Sequence, residues 1–213
     1  MVELGGVRGL GLRERKKQRT KATLIDAAVS LCLAQGYERT TVEQIAAAAD
    51  VSPRTFSRYF ATKDAVVLTL LEDLVAEVAD ELAGIPFSVP VLEALRSAHV
   101  NVLRAVSAGT VPGLSNERIV LMLRLITSTP ALRVAATEFR PMTTVHALAE
   151  RMGSDVADRR VWLVMSLWSS IIVSACGDLV VDGPGIELGS TLMVSRIDAM
   201  FDDFLELTGE LTR

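Results

Sequence analysis

Three observations predict an all-α protein. Half of the 213 residues are apolar, and Ala, Leu and Val dominate, a composition that favours helices over sheet. Apolar residues recur at helical spacing in segment after segment. Between those segments stand helix signals, with Ser or Thr at starts and Gly or Pro at ends. The expected architecture is an N-terminal helix-turn-helix head followed by a larger helical body. No internal repeat and no β-rich region is visible, and the length suits one or two domains.

Residues 1–12 are glycine-rich and are expected to be disordered. The basic run RERKKQRTK, Arg13 to Lys21, opens a helix ending near Gln35, with Gly36 at its C′ position. Leu24, Ala27, Ala28, Leu31 and Cys32 give that helix its apolar face. The basic run is either a solvated helix start or a contact to a nucleic-acid backbone.

The next stretch, TTVEQIAAAADVSPRTFSRYFATK from Thr40 to Lys63, reads as two short helices joined by a tight turn. Thr40 or Thr41 caps the first, and Glu43 follows Thr40 at capping-box spacing. Val42, Ile45, Ala46 and Ala49 form one apolar stripe. Asp50 occupies the turn, where a left-handed backbone is needed that Asp tolerates better than most residues. Val51 fills the angle between the helices. Ser52 caps the second helix, and Pro53 takes its first position, where a missing N–H costs nothing. Such a unit places its second helix in a DNA major groove. Phe56 and Phe60 face inward and leave Arg54, Thr55, Ser57, Arg58 and Tyr59 on the surface. Arginine pairs with guanine O6 and N7, and hydroxyls suit phosphates. Lys63, opening the following helix, brings a cation near the same backbone.

From Thr62 the chain continues as helices. Thr62 caps one to about Ala83, broken by Gly84, Pro86 and Pro90. A second spans about Val91 to Ala108, before a loop at residues 109–113. Ser115 opens a third, to about Ser128. Pro130 begins a fourth ending at Gly153, with a kink or break at Pro141. Ser154 caps a fifth, to about Cys176. Residues 177–185 form a loop, and a last helix runs from about Ile186 to Leu207. In the fifth, Trp162, Met165, Ser169, Ile172 and Val173 share one face, and Trp168, Ile171 and Ala175 another. Leu192, Ile197, Met200, Phe201 and Phe204 crowd the last. Helices apolar on several sides require neighbours, supplied by a homodimeric four-helix interface or by packing within one chain.

Net charge is −4, which alone argues against nucleic acid. Its distribution argues otherwise. Residues 1–63 hold 11 Lys and Arg against 6 Asp and Glu, a net of +5. Residues 64–213 hold 11 Arg against 20 Asp and Glu, a net of −9. All four lysines, Lys16, Lys17, Lys21 and Lys63, fall in the first part. A basic module joined to an acidic remainder fits local phosphate binding.

The basic run, the helix ending in Gln35-Gly36-Tyr37, and TTVEQIAAAADVSPRTFSRYFATKDAV together resemble the TetR family of bacterial transcription regulators. The resemblance spans roughly residues 13–68. It implies a DNA-binding head at 13–63 and a ligand-binding and dimerisation body at 64–213. The partners it implies are a palindromic double-stranded DNA operator, a second copy of the chain and a small apolar effector. Carried over by position, Thr41, Ser52, Pro53, Arg54, Thr55, Arg58, Tyr59 and Lys63 contact DNA. Two departures stand out: Asp50 replaces the usual turn glycine, and Ser57 a common aromatic. The segment LRLITSTPALR, Leu123 to Arg133, is similar to one in TetR-type regulators associated with acyl-CoA-like ligands, which implies a fatty-acyl or acyl-CoA effector. Candidate effector contacts are Met122, Arg124, Arg133, Phe139, Met142, His146, Trp162 and Met165. Each suits core packing as well, and Arg124 could simply snorkel to solvent.

No catalytic role, metal or cofactor is expected. His99 and His146 are 47 residues apart, and Cys32 and Cys176 make no ligand pair with them. No nucleophile elbow, glycine-rich phosphate loop or HExxH motif is present. No apolar run reaches the ~18–20 residues of a membrane span. The richest, Val161 to Ala175, contains four serines. The first residues lack a signal-peptide core, so a cytoplasmic protein with buried thiols is expected. An effector-independent architectural or partner-binding protein is the alternative, and a body without a cavity would mark it.

Overall fold

The computed structural model describes residues 11–177 and 188–211, all of whose regular structure is helical. Expectations for residues 1–10, for most of the 177–185 loop and for a helix start at Ile186 lie outside the described residues. The helices are α1 (Leu12–Gln35), α2 (Val42–Ala48), α3 (Pro53–Tyr59), α4 (Lys63–Gly84), α5 (Val91–Ser107), α6 (Asn116–Ser128), α7 (Pro130–Glu138), α8 (Met142–Arg151), α9 (Arg159–Cys176) and α10 (Ser190–Leu211). They divide into two compact units, Met1–Val66 and Val67–Arg213, so that α4 begins in one and continues into the other.

In the first unit α1 packs on α2 and α2 on α3. Leu24, Ile25, Ala28, Val29 and Cys32 of α1 are buried, as are Ile45, Ala46, Phe56 and Phe60. Leu12, expected in a disordered segment, already opens α1 with its side chain exposed. The basic run is therefore the first turns of a helix.

In the second unit α10 lies along α5 and α9, α6 packs on α7, and α8 on α9. Leu95, Leu103, Ile119, Leu148 and Ile197 fill its centre. Three polar clasps fix these helices. Arg96 of α5 reaches Glu93 and, at 2.6 Å, Asp198 of α10. Arg151 of α8 donates to the carbonyls of Ile85, Pro86 and Val89 in the α4–α5 turn. Asn116 Oδ1 accepts from Ser190 N at 2.9 Å and so caps α10 from α6. Gly189 permits that approach, because a Cβ there would stand 2.6 Å from Asn116 Oδ1.

One predicted boundary holds and one shifts. Pro141 breaks its helix, one of the two outcomes expected there. It separates α7 from α8, since a proline has no N–H to continue the ladder. Asp158, rather than Ser154, caps α9, accepting from Arg160 N at 2.8 Å. Ser154 instead belongs to the turn after α8, its N–H bonded to Ala149 O. The apolar residues of α9 and α10 also divide. Met165, Trp168, Ile197 and Phe201 are buried within the chain, while Leu163, Val173, Leu205 and Leu207 are exposed.

Candidate nucleic-acid interface and ligand cavity

The α2–α3 turn is held by short-range hydrogen bonds. Gln44 N donates to Thr41 Oγ1 at 3.2 Å, and Thr41 N donates to Gln44 Oε1 at 3.0 Å. This capping box sits one residue later than the Thr40–Glu43 pair. Thr40 is buried and donates its hydroxyl to Gly36 O. Glu43 stays exposed, its carboxyl held below the ordinary value by its own backbone N–H and the Thr41 hydroxyl. Gln35 Nε2 joins the end of α1 to this box, donating to Gln44 Oε1 at 2.9 Å. Asp50 adopts the expected left-handed backbone, φ 54°. Ser52 Oγ accepts from Thr55 N at 3.1 Å and Pro53 follows at the first helical position.

Those caps orient α3. Phe56 and Phe60, ring centroids 5.6 Å apart, are buried against the head. Arg54, Ser57 and Arg58 are thereby exposed, with Thr55 and Tyr59 partly so. Arg58 lies over the Tyr59 ring. Ser57, at the position where the family resemblance expects an aromatic, turns its hydroxyl back to Pro53 O. Thr41, Ser52 and Pro53 stand exposed at the starts of α2 and α3. Arg13, Arg15, Lys16, Lys17 and Arg19 are exposed on α1.

Lys63, expected at a phosphate, is engaged within the head in the unbound chain. Its Nζ donates to Tyr37 O at 2.9 Å and Thr40 O at 3.3 Å and lies 3.9 Å from the Tyr37 ring centroid. The ammonium closes the α1–α2 loop, whose carbonyls have no helical partner.

The second unit encloses a cavity of about 160 Å³. Its walls are Leu71, Leu74 and Val75 of α4, His99 and Leu103 of α5, Met122, Leu123, Ile126 and Thr127 of α6, and Arg133 and Ala136 of α7. Phe139, Pro141, Thr144 of α8, the 165–176 face of α9 and Met193 of α10 complete them. Four predicted contacts, Met122, Arg133, Phe139 and Met165, are brought together here. The other four are not. Arg124 and His146 face solvent, and Met142 is 48% exposed. Trp162 turns away, its indole N–H donating to Val156 O at 2.9 Å.

The tryptophan in the cavity wall is Trp168, which stacks obliquely on His99 with its N–H 3.2 Å from the ring nitrogens. His99 Nδ1 lies 2.9 Å from Leu95 O. Burial pushes the His99 imidazole down to about 4, partly offset by that carbonyl, so the wall is neutral there. Trp168, His99 and Thr144 line the cavity and were not singled out as contacts in the sequence. Met165, Trp168, Ser169 and Ile172 do fall at i, i+3, i+4 and i+7, a stripe that would have placed Trp168.

Among the described residues no cluster of His, Cys, Asp and Glu could hold a metal ion, and no helix is long and apolar enough to cross a membrane. Cys32 and Cys176 are buried as thiols, one in each unit.

Comparison with known proteins agrees with this layout. The family model of bacterial regulatory proteins of the tetR family matches residues 24–70. The chain is 39% identical over 153 residues to the HTH-type transcriptional regulator TcmR of Streptomyces glaucescens, covering 70% of this chain and 68% of that protein. Among solved structures it is similar to Thermus thermophilus FadR, a TetR family transcriptional repressor in complex with lauroyl-CoA. There the TM-score is 0.52 at 21% identity, covering 85% of this chain and 93% of that one. It is also similar to NalD, the secondary repressor of the MexAB-OprM multidrug efflux pump in Pseudomonas aeruginosa, with TM-score 0.51 at 15% identity over 88% and 96% of the two chains. Those two likenesses concern the fold. The identity to TcmR, over more than two thirds of both chains, carries the assignment: the chain belongs to the tetR family of bacterial regulatory proteins and is a DNA-binding transcriptional regulator.

Proposed function

We propose that the protein represses transcription by binding a palindromic operator as a homodimer, and that a small apolar effector in the second-unit cavity releases it. One observation carries this reading. Helix α4 starts at Lys63, which ties it to the Tyr37 and Thr40 carbonyls of the head, and continues as Leu71, Leu74 and Val75 in the cavity wall. An occupant that displaces those three residues acts on the helix that carries the head. By linkage, DNA then lowers effector affinity by the same factor.

Dimerisation is supported by the exposed Leu163, Val173, Leu205 and Leu207 on α9 and α10, which leave apolar surface for a second copy. The effector is compact and neutral rather than a whole acyl-CoA. The cavity is comparable to one that holds benzene, at roughly 150 Å³, and its walls offer a single cation, Arg133. The presence of a cavity also weighs against an effector-independent architectural role.

At the operator, Arg54 reads a base and Thr41, Ser52, Thr55, Arg58 and Tyr59 hold phosphates, with Pro53 setting the start of the reading helix. Sequences selected by the purified protein at about 150 mM salt should share an inverted repeat. Arg54→Ala should then cost roughly 1–3 kcal/mol and relax preference at one position per half-site. Uniform weakening on every sequence would show that Arg54 contacts only the backbone.

A further inference from the structure

Buried hydroxyls in helices ordinarily donate to the carbonyl four residues back, and Thr127 does so, to Leu123 O at 2.6 Å. Thr144, in the wall of the same cavity, does not. It is 3% exposed and its Oγ1 has no hydrogen-bond partner. The sequence explains why. Thr144 lies in the first turn of α8, and the carbonyl four residues back is that of Arg140, ahead of the N-cap Pro141 and outside the helix. An unmatched buried hydroxyl is unfavourable, so its presence in a cavity wall points to an absent partner.

His99, Trp168 and Arg133, which share the cavity wall, are already matched. With Nδ1–H donating to Leu95 O, His99 Nε2 is the acceptor for the Trp168 N–H. Arg133 Nη2 donates to Thr127 O.

We propose that Thr144 is the polar anchor of the cavity, and that the effector is a neutral, mostly hydrocarbon molecule whose single hydroxyl or carbonyl oxygen bonds the Thr144 hydroxyl. This rests on the cavity being the effector site. It goes further by giving the ligand a chemical class and an orientation, with its oxygen at α8 and its carbon frame against α4, α6 and α9. A carboxylate is disfavoured, because Arg133, the one Lys or Arg among the described residues of the wall, already donates to Thr127 O.

The test uses the full chain and two probes of equal shape, p-cresol and p-xylene, with binding measured calorimetrically. Thr144→Val, which replaces the hydroxyl by a methyl, should weaken p-cresol roughly tenfold relative to p-xylene. Thr144→Ser should restore most of the difference. The unliganded Thr144→Val protein should melt no lower than the parent, because the hydroxyl makes no internal bond. Parallel changes for both probes, or a lower melting temperature with an unchanged ratio, would overturn the anchor while leaving the cavity reading intact. Failure of both probes to bind the parent at millimolar concentration would overturn the cavity reading and the anchor with it.

Discussion

In the first unit Gln35, Thr41, Gln44, Ser52 and Lys63 turn their polar atoms onto backbone groups or onto one another within a few residues of a turn. In the second unit His99, Trp168 and Thr127 satisfy one another or their own helix, and long apolar helices leave a void between them. Short helices bury little surface, so local caps must hold them. Long helices bury enough to remain folded around an imperfectly filled space. The head is consequently a fixed shape that presents cations, and the body is a packing that an added molecule can improve.

That contrast can be broken at four places. The largest effect is expected from Phe56→Ala, which empties the fully buried centre of the head and should cost about 3–5 kcal/mol. Operator binding should vanish while α-helical signal from the body persists, and joint melting of both units would contradict their separation. Acid should strike the body next. The His99 imidazole titrates near 4 when folded, against an ordinary value of 6.5. Between those values the unfolded chain holds more protons, so stability is full above about pH 6.5 and is lost as pH falls toward 4, by up to about 3 kcal/mol. Chemical denaturation at pH 7 and pH 5 measures it, and His99→Phe should flatten the slope.

Lys63→Met should destabilise the head by about 1–3 kcal/mol, because the Thr40 carbonyl loses its ammonium partner and the Tyr37 carbonyl keeps only the Thr40 N–H. The salt dependence of DNA binding should stay the same, whereas a slope reduced by about one would restore Lys63 to the phosphates. Smallest is Asp50→Gly, which relieves a left-handed backbone and should raise stability by about 0.5–1 kcal/mol in thermal melts.

The head was legible because its determinants are neighbours in sequence. Asp50, Ser52 and Pro53 each announce a backbone state, and all three adopt it. The capping box slipped by one residue because Thr40 and Thr41 are chemically alike, and only burial distinguishes them. The bonds Lys63 makes within the head were not readable for a related reason: its partners lie 23 and 26 residues away. In the body the helices and the Pro141 break were readable. The cavity was readable only in part, because a void is made by residues from seven helices that fail to meet. Of the residues singled out in the sequence, Met122, Arg133, Phe139 and Met165 line the cavity, yet the sequence reading did not tell Trp162 from Trp168. The difference lies in a rotation of six residues along α9, which turns one indole to Val156 O and the other onto His99.

That pair of indoles has an optical consequence. They are the only tryptophans of the chain, and both belong to α9. Emission excited at the indole band therefore arises from the body alone, and the head is spectrally silent. Trp168, whose N–H rests on the His99 ring at the cavity wall, is a built-in lamp for events in that space. A change in its colour or brightness when operator DNA is added to the unliganded protein would report the head's engagement from within the body.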